Sequence, residues 1–174
     1  MRVFLCGFMG AGKSTVGQEL SEVLKERGVP IHFVDADREI ERRFGKTIPE
    51  IFKEFGETKF RELEKKFFEM PTDDAVVALG GGSLEYVSVD EIKKLGKLIY
   101  LECDLDELVR RLLPQKASRP LISKLKDSEI PRFVTEQLKH REKNYRKADF
   151  SITVMGKDPH DIAIEILNWL ESNE

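Results

Sequence analysis

Residues 7 to 15 read Gly-Phe-Met-Gly-Ala-Gly-Lys-Ser-Thr, and Gly7, Gly12, Lys13 and Ser14 fall at the spacing G-x-x-x-x-G-K-[ST]. That is the pattern of a loop that wraps a polyphosphate. Glycines let successive backbone N–H groups turn inward around an anion, and a helix start just beyond adds partial positive charge. Lys13 has the reach to meet β- and γ-phosphates, and the Ser14 hydroxyl is an oxygen ligand suited to Mg2+. The competing reading is a glycine-rich turn that merely carries Lys-Ser. The apolar run Val3–Cys6 before the loop and the amphipathic stretch after it supply the strand and helix the motif requires. The chain is therefore expected to bind a nucleoside triphosphate. The loop does not say what receives the phosphate, since switch GTPases, ATPase motors and small-molecule kinases share it.

Other residues bear on the acceptor. Asp35-Ala36-Asp37 closes the second apolar run, and in an open parallel sheet ligands bind beyond the carboxyl ends of the strands. One carboxylate can hold a water of the Mg2+ shell while the other accepts a hydrogen bond from an acceptor hydroxyl. Taken alone, the pair could equally cap a helix starting at Arg38. Arg61 and Glu64 lie i, i+3 beside the apolar stripe Phe60, Leu63, Phe67. Gly80-Gly81-Gly82 follows the run Ala75–Leu79, clearing side chains from a crevice floor so that a small ligand can rest on backbone N–H groups. A simple tight turn is the plainer reading. Arg119 sits in a basic segment from which it could swing over the phosphates and offset transition-state charge. Arg141, four residues before Tyr145, offers a planar fork suited to a carboxylate. Two separate arginines, 61 and 141, suit an acceptor with a single carboxylate, although either alone could be a solvated surface charge.

These residues need a frame. Short apolar runs alternate with amphipathic segments, which predicts an α/β fold with a parallel sheet. The predicted strands are Arg2–Cys6, Ile31–Asp35, Ala75–Leu79, Lys97–Cys103 and Phe150–Val154. A helix over Lys13–Arg27 turns Val16, Leu20, Val23 and Leu24 to one face. Thr47-x-x-Glu50 and Ser88-x-x-Glu91 have the form of capping boxes, with Gly56 and Gly96 placed to close their helices. A further helix is predicted over Thr58–Met70. Asp104 and Asp158-Pro159 are expected to open two more, the last with Ile162, Ile166, Trp169 and Leu170 inward. Pro114–Asp127 has no period, two prolines and several cations, and reads as a mobile loop or lid.

The chain has 174 residues, enough for one domain with a real core and no staples. Its net charge of −3 does not suggest nucleic-acid binding. No apolar run approaches a membrane span and no signal peptide is evident, so the expected location is the cytoplasm. Cys6 and Cys103 form no CxxC pair and read as buried, reduced thiols at strand ends. His32, His140 and His160 show no metal spacing and read as surface or strand-edge residues.

Taken in order, GFMGAGKST, DAD at 35–37, IPEIF(x)3GE(x)2FR(x)2E at 48–64, LGGGS at 79–83, SRPLI at 118–122 and R(x)3Y(x)2AD at 141–149 resemble the motifs of the shikimate kinase family. Together they span nearly the whole chain. The resemblance implies a three-layer P-loop fold like that of nucleoside-monophosphate kinases, with a five-stranded parallel sheet in the order 2-3-1-4-5. It implies one domain over 1–174, with acceptor-binding helices within about 36–70 and a lid at about 114–127. The implied reaction moves a phosphoryl group from ATP to the 3-hydroxyl of shikimate, giving 3-phosphoshikimate and ADP on the route to chorismate and the aromatic amino acids. By position, Asp37, Arg61, Gly80, Gly81, Gly82 and Arg141 would hold shikimate. Gly10, Ala11, Gly12, Lys13, Ser14 and Thr15 would wrap the phosphates, with Arg119 reaching ATP from the lid. Ser14 would ligate one Mg2+ directly and Asp35 through water. Lys13, Asp37 and Arg119 would carry the catalysis. The implied partners are small molecules only, with no nucleic acid and no membrane, and the protein would act as a monomer. The interval from Lys13 to Asp37 is longer than usual for the family, with the excess in Leu24–Pro30, and Met155–Pro159 would form a turn near adenine. A gluconate- or nucleotide-kinase-like enzyme is the rival. A switch GTPase would need an N-K-x-D element, and none is present.

Overall fold

A computed structural model describes residues 1–69 and 73–173. Five strands form one parallel sheet: β1 (Arg2–Cys6), β2 (His32–Asp35), β3 (Ala75–Ala78), β4 (Lys97–Glu102) and β5 (Phe150–Thr153). Their order is β2-β3-β1-β4-β5, as the resemblance implied, and every pairing is parallel. Burial follows position. The inner strands β1, β3 and β4 are almost wholly buried, which is why they read as continuous apolar runs. The edge strands β2 and β5 carry the polar and exposed residues, His32 among them.

Among the described residues, seven α-helices flank the sheet: α1 (Lys13–Glu26), α2 (Ala36–Phe44), α3 (Ile48–Glu69), α4 (Val89–Leu95), α5 (Leu105–Leu112), α6 (Ile130–Tyr145) and α7 (Pro159–Glu171). Val16, Leu20, Val23 and Leu24 of α1 are all buried. That helix presses so closely on β2 that a Cβ at Gly17 would stand 2.5 Å from the Phe33 ring. On α7, Ile162, Ile166 and Leu170 point inward, while Trp169 is half-buried and stacks on Phe150 with ring centroids 5.1 Å apart.

Several local expectations change. The Thr47–Glu50 capping box forms, Glu50 accepting from the Thr47 backbone N–H at 2.7 Å. Gly56 ends the capped helix as expected: its φ of 78° and ψ of 171° are non-helical and suit glycine alone, and a second helical stretch follows directly, so that α3 is two helices joined across a kink. The predicted end of that helix at Met70 lies outside the described residues. Ser88 and Asp104 stand at helix starts, but neither side chain makes a capping bond. Asp158 does, accepting from His160 N–H at 2.9 Å. The segment Pro114–Asp127 holds more order than its sequence suggests. A 3-10 run spans Leu113–Ser118, tight turns follow, and Ile122 is fully buried as an anchor. Prolines 114 and 120 deny the segment regular α-helix, and short 3-10 bonds take over.

Candidate active site

The phosphate loop runs from Gly7 to Gly12 between β1 and α1. At Gly7 a Cβ would meet the Leu101 carbonyl oxygen at 2.7 Å, so the loop leaves the sheet where only glycine fits. Gly12 opens α1 in the left-handed region at φ 93°. Lys13 Nζ donates to the Gly7 and Phe8 carbonyls at 2.8 and 3.1 Å, which holds the ammonium over the loop. Burial pushes the Lys13 ammonium down to about 8, and the charges of Asp37 and Asp35 oppose that shift. Ala11 differs from its neighbours. It is buried, and its N–H donates to Phe8 O at 3.1 Å inside the loop, so it does not face the cleft.

Asp35 ends β2 beside the loop. The Ser14 hydroxyl donates to Asp35 Oδ2 at 2.6 Å, and Asp35 Oδ1 caps α2 by accepting from Arg38 N–H at 3.2 Å. The capping reading of the pair thus holds at Asp35, which also faces the Ser14 hydroxyl. Ser14 and Asp35 bring two hard oxygen donors together at a helix N-terminus, a donor set that fits Mg2+. Asp37, two residues on in the first turn of α2, lies in the cleft, and its Oδ1 is buried with no hydrogen-bond partner. Burial raises its carboxyl to about 6, and the charges of Glu64 and Asp35 add to the shift. An acceptor atom without a donor in a polar cleft is a place for a ligand hydroxyl.

Across the floor, Gly80 and Gly82 make room for the protein's own side chains, and Gly81 for the backbone of the phosphate loop at Met9. A Cβ at Gly80 would stand 2.9 Å from Asp37 Oδ1 and 3.1 Å from Glu64 Oε1. One at Gly82 would stand 3.0 Å from Arg61 Nη2 and 3.3 Å from Arg141 Nη2, so both guanidinium groups converge above that residue. Arg61 is held by Glu64 through Nη1 at 2.5 Å and by Glu57 through Nη2 at 3.0 Å. Burial draws its pKa down, but the carboxylates of Glu64 and Glu57 outweigh that and leave it raised. Arg141 is buried. Its Nε donates to Glu85 at 2.7 Å, and its Nη1 is buried without a partner.

Arg119 reaches the same cleft from Pro114–Asp127. Its Nη2 donates to Gln115 Oε1 at 2.6 Å, and its Nε is buried and unpaired. Burial lowers its pKa and Asp37 opposes. The cleft holds about 640 Å³, and Gly10, Gly12, Lys13, Ser14, Thr15, Asp35, Asp37, Arg61, Gly80, Gly81, Gly82, Arg119 and Arg141 all line it. Leu24–Pro30 and Met155–Pro159 do not. The latter turn instead lies against Cys103, with Met155 Sδ 3.9 Å from Sγ.

Three contributors escaped sequence reasoning or were underrated by it. Glu64 is fully buried and accepts from Ser83 Oγ at 2.6 Å as well as from Arg61. Arg111 donates to Gly10 O at 3.1 Å and lines the cleft, though in sequence it is only the end of an i, i+4 pair with Glu107. Phe8 lies 5.5 Å beneath the Arg141 guanidinium. The histidines take no part: His140 and His160 pair at the surface with Glu85 and Glu19.

A strand-loop-helix cradle for phosphate, faced by a carboxylate and cations across one open crevice, is the plan of a P-loop kinase. A family model for shikimate kinase matches residues 9–171, and the chain belongs to the shikimate kinase family. Among similar proteins, a shikimate kinase of Persephonella marina is 39% identical over 95% of this chain and 96% of its own length. One of Bacteroides fragilis is 37% identical over 86% of this chain and 83% of its own length. Shikimate kinase from Acinetobacter baumannii, solved in complex with shikimate, superposes with a TM-score of 0.88 at 32% identity, covering 99% of this chain and 94% of that one. That of Aquifex aeolicus gives 0.80 at 33% identity, covering 99% of this chain and 98% of that one.

Proposed function

We propose that the protein transfers the γ-phosphoryl group of ATP to the 3-hydroxyl of shikimate, giving 3-phosphoshikimate and ADP on the route to chorismate and the aromatic amino acids. Family membership supports the reaction. The observation that carries the site assignment is the convergence of Arg61 and Arg141 over Gly82, a short way across the cleft from Asp37. Two cations and a carboxylate in that relation suit a small acceptor with one carboxylate and several hydroxyls.

The loop amides of Gly10 and of Gly12 to Thr15, with the Lys13 side chain, take the triphosphate, and Ala11 holds the loop's shape from within. Ser14 and Asp35 are the residues that would hold Mg2+, Ser14 directly and Asp35 through water. When bound there, the ion neutralises phosphate charge and fixes the orientation of the triphosphate. Arg61 and Arg141 seat the acceptor's carboxylate, which aims its ring hydroxyls at Asp37. Asp37 Oδ1 accepts from the hydroxyl that will attack, orienting it and receiving its proton as the bond to phosphorus forms. Lys13 and Arg119 meet charge on the group in flight. Pro114–Asp127 acts as the lid, and its closure excludes water that would otherwise take the phosphoryl group. Phosphorus NMR of the product tests the reading. A single phosphate ester on the 3-hydroxyl is expected, while ester on another hydroxyl, or free phosphate alone, would overturn the Asp37 assignment.

A further inference from the structure

Two residues outside the cleft wall deserve a role in the reaction. The three glycines run into a 3-10 turn, Ser83–Glu85, followed by Tyr86. Glu85 reaches Arg141 from behind, its Oε2 accepting from Nε at 2.7 Å, while its Oε1 lies 3.0 Å from His140 Nε2. A guanidinium offers two edges to a carboxylate, one through Nε and one between its terminal nitrogens. Glu85 occupies the first. The terminal nitrogens remain for the cleft, where Nη1 is buried without a protein partner and Nη2 approaches Gly82.

Tyr86 does the corresponding work for Arg61. Its ring lies 4.3 Å from the guanidinium carbon, and its hydroxyl donates at 3.4 Å to the same Glu57 oxygen that holds Arg61. The turn itself is pinned to α6: Asn144 donates to Leu84 O at 2.8 Å, and the Tyr145 hydroxyl donates to Gly81 O. Adjacent residues on one short, anchored turn therefore each secure one arginine.

We propose that Glu85 and Tyr86 are positioning residues that fix which edge and face the two arginines present, and so set affinity for the acceptor's carboxylate. The inference rests on the assignment of Arg61 and Arg141 to that carboxylate. Glu85→Ala is expected to raise the KM for shikimate about tenfold, with the KM for ATP and kcat within about threefold, because a charge-assisted bond holding the guanidinium is lost. Glu85→Gln keeps an oxygen for Nε and is expected to restore most of the loss. Tyr86→Ala, at a half-exposed position, is expected to raise the same KM about threefold through loss of the stacked ring. This variant carries the test if Glu85→Ala fails to fold.

Arg141→Lys, assayed alongside, separates the two claims. If it leaves the KM for shikimate unchanged, the carboxylate assignment falls and the inference falls with it. If it raises that KM while Glu85→Ala and Tyr86→Ala do not, the positioning role alone is overturned. Parallel losses in both KM values, or no rescue by Glu85→Gln, would also overturn it in favour of a general structural role.

Discussion

Asp37 shows how one residue's environment serves chemistry at the expense of the fold. Its carboxyl is raised from 3.8 to about 6 by burial first and by Glu64 and Asp35 next. A carboxyl with a raised folded pKa binds its proton more tightly in the native state, so its contribution to stability falls as pH rises from about 4 to 6. Asp37→Asn removes that penalty. In ligand-free protein it is expected to raise Tm at pH 7 by about 2–4 °C, about 1 kcal/mol, with the gain gone at pH 4. The same variant is expected to lose turnover about 100-fold or more while still binding ATP. Calorimetry at both pH values and a steady-state assay check both halves, and unchanged turnover would remove Asp37 from the mechanism. Arg61 carries a different trade. Arg61→Ala is expected to raise the KM for shikimate about 10- to 100-fold. It also strands the buried Glu64, lowering stability by about 3 kcal/mol. In the double variant Arg61→Ala/Glu64→Gln, stability should recover and the KM should not. Recovery of both would mean that Arg61 acts only as a counter-ion.

At the scale of elements, the bend in α3 matters most. The helix starts with a capping box at Thr47, turns at Gly56, and only then presents Arg61 and Glu64 to the cleft. Gly56→Ala forces a residue with a Cβ into a region only glycine occupies freely. It is expected to lower stability by about 1–3 kcal/mol in urea unfolding, and to raise the KM for shikimate more than that for ATP. An unchanged KM would show that the bend does not aim Arg61. Sequence reading reached the strands within about one residue, because buried parallel strands are unbroken apolar runs. It reached the phosphate loop because glycine spacing there is dictated by backbone geometry. Gly56 was legible as the break between two helical stretches because only glycine adopts such a backbone conformation freely. The purpose of Gly80–Gly82 was half legible. Their need for space is plain in sequence, but the groups that fill it, Asp37, Glu64 and the two guanidiniums, come from distant elements. Arg111 and Glu85 were hidden, and the burial of Glu64 behind Arg61 was not legible, for a related reason: a helical or turn carboxylate or arginine looks solvated until the fold buries it.

Over the whole molecule, the fold gathers all of this chemistry at the carboxyl ends of β1, β2 and β3, with the sheet's core left to packing. The cations of the cleft stand within a chain of net charge −3, so attraction for anions is local to the site. Among the described residues, no helix is long and apolar enough to cross a membrane. The large exposed apolar side chains there, Met1, Phe55, Tyr86, Leu95, Leu113 and Leu121, fall on different parts of the chain. Scattered exposure of this kind supports a monomer, and sedimentation is expected to give one species near 20.0 kDa. A dimer at micromolar concentration would contradict it. The central claim is that the cleft selects shikimate as acceptor, and ADP release measured with ATP, Mg2+ and a panel of acceptors tests it most directly. Release is expected with shikimate and only at background with gluconate, nucleoside monophosphates or no acceptor. Release with another acceptor and none with shikimate would leave the phosphate cradle standing and contradict the pocket built from Asp37, Gly80–Gly82, Arg61 and Arg141.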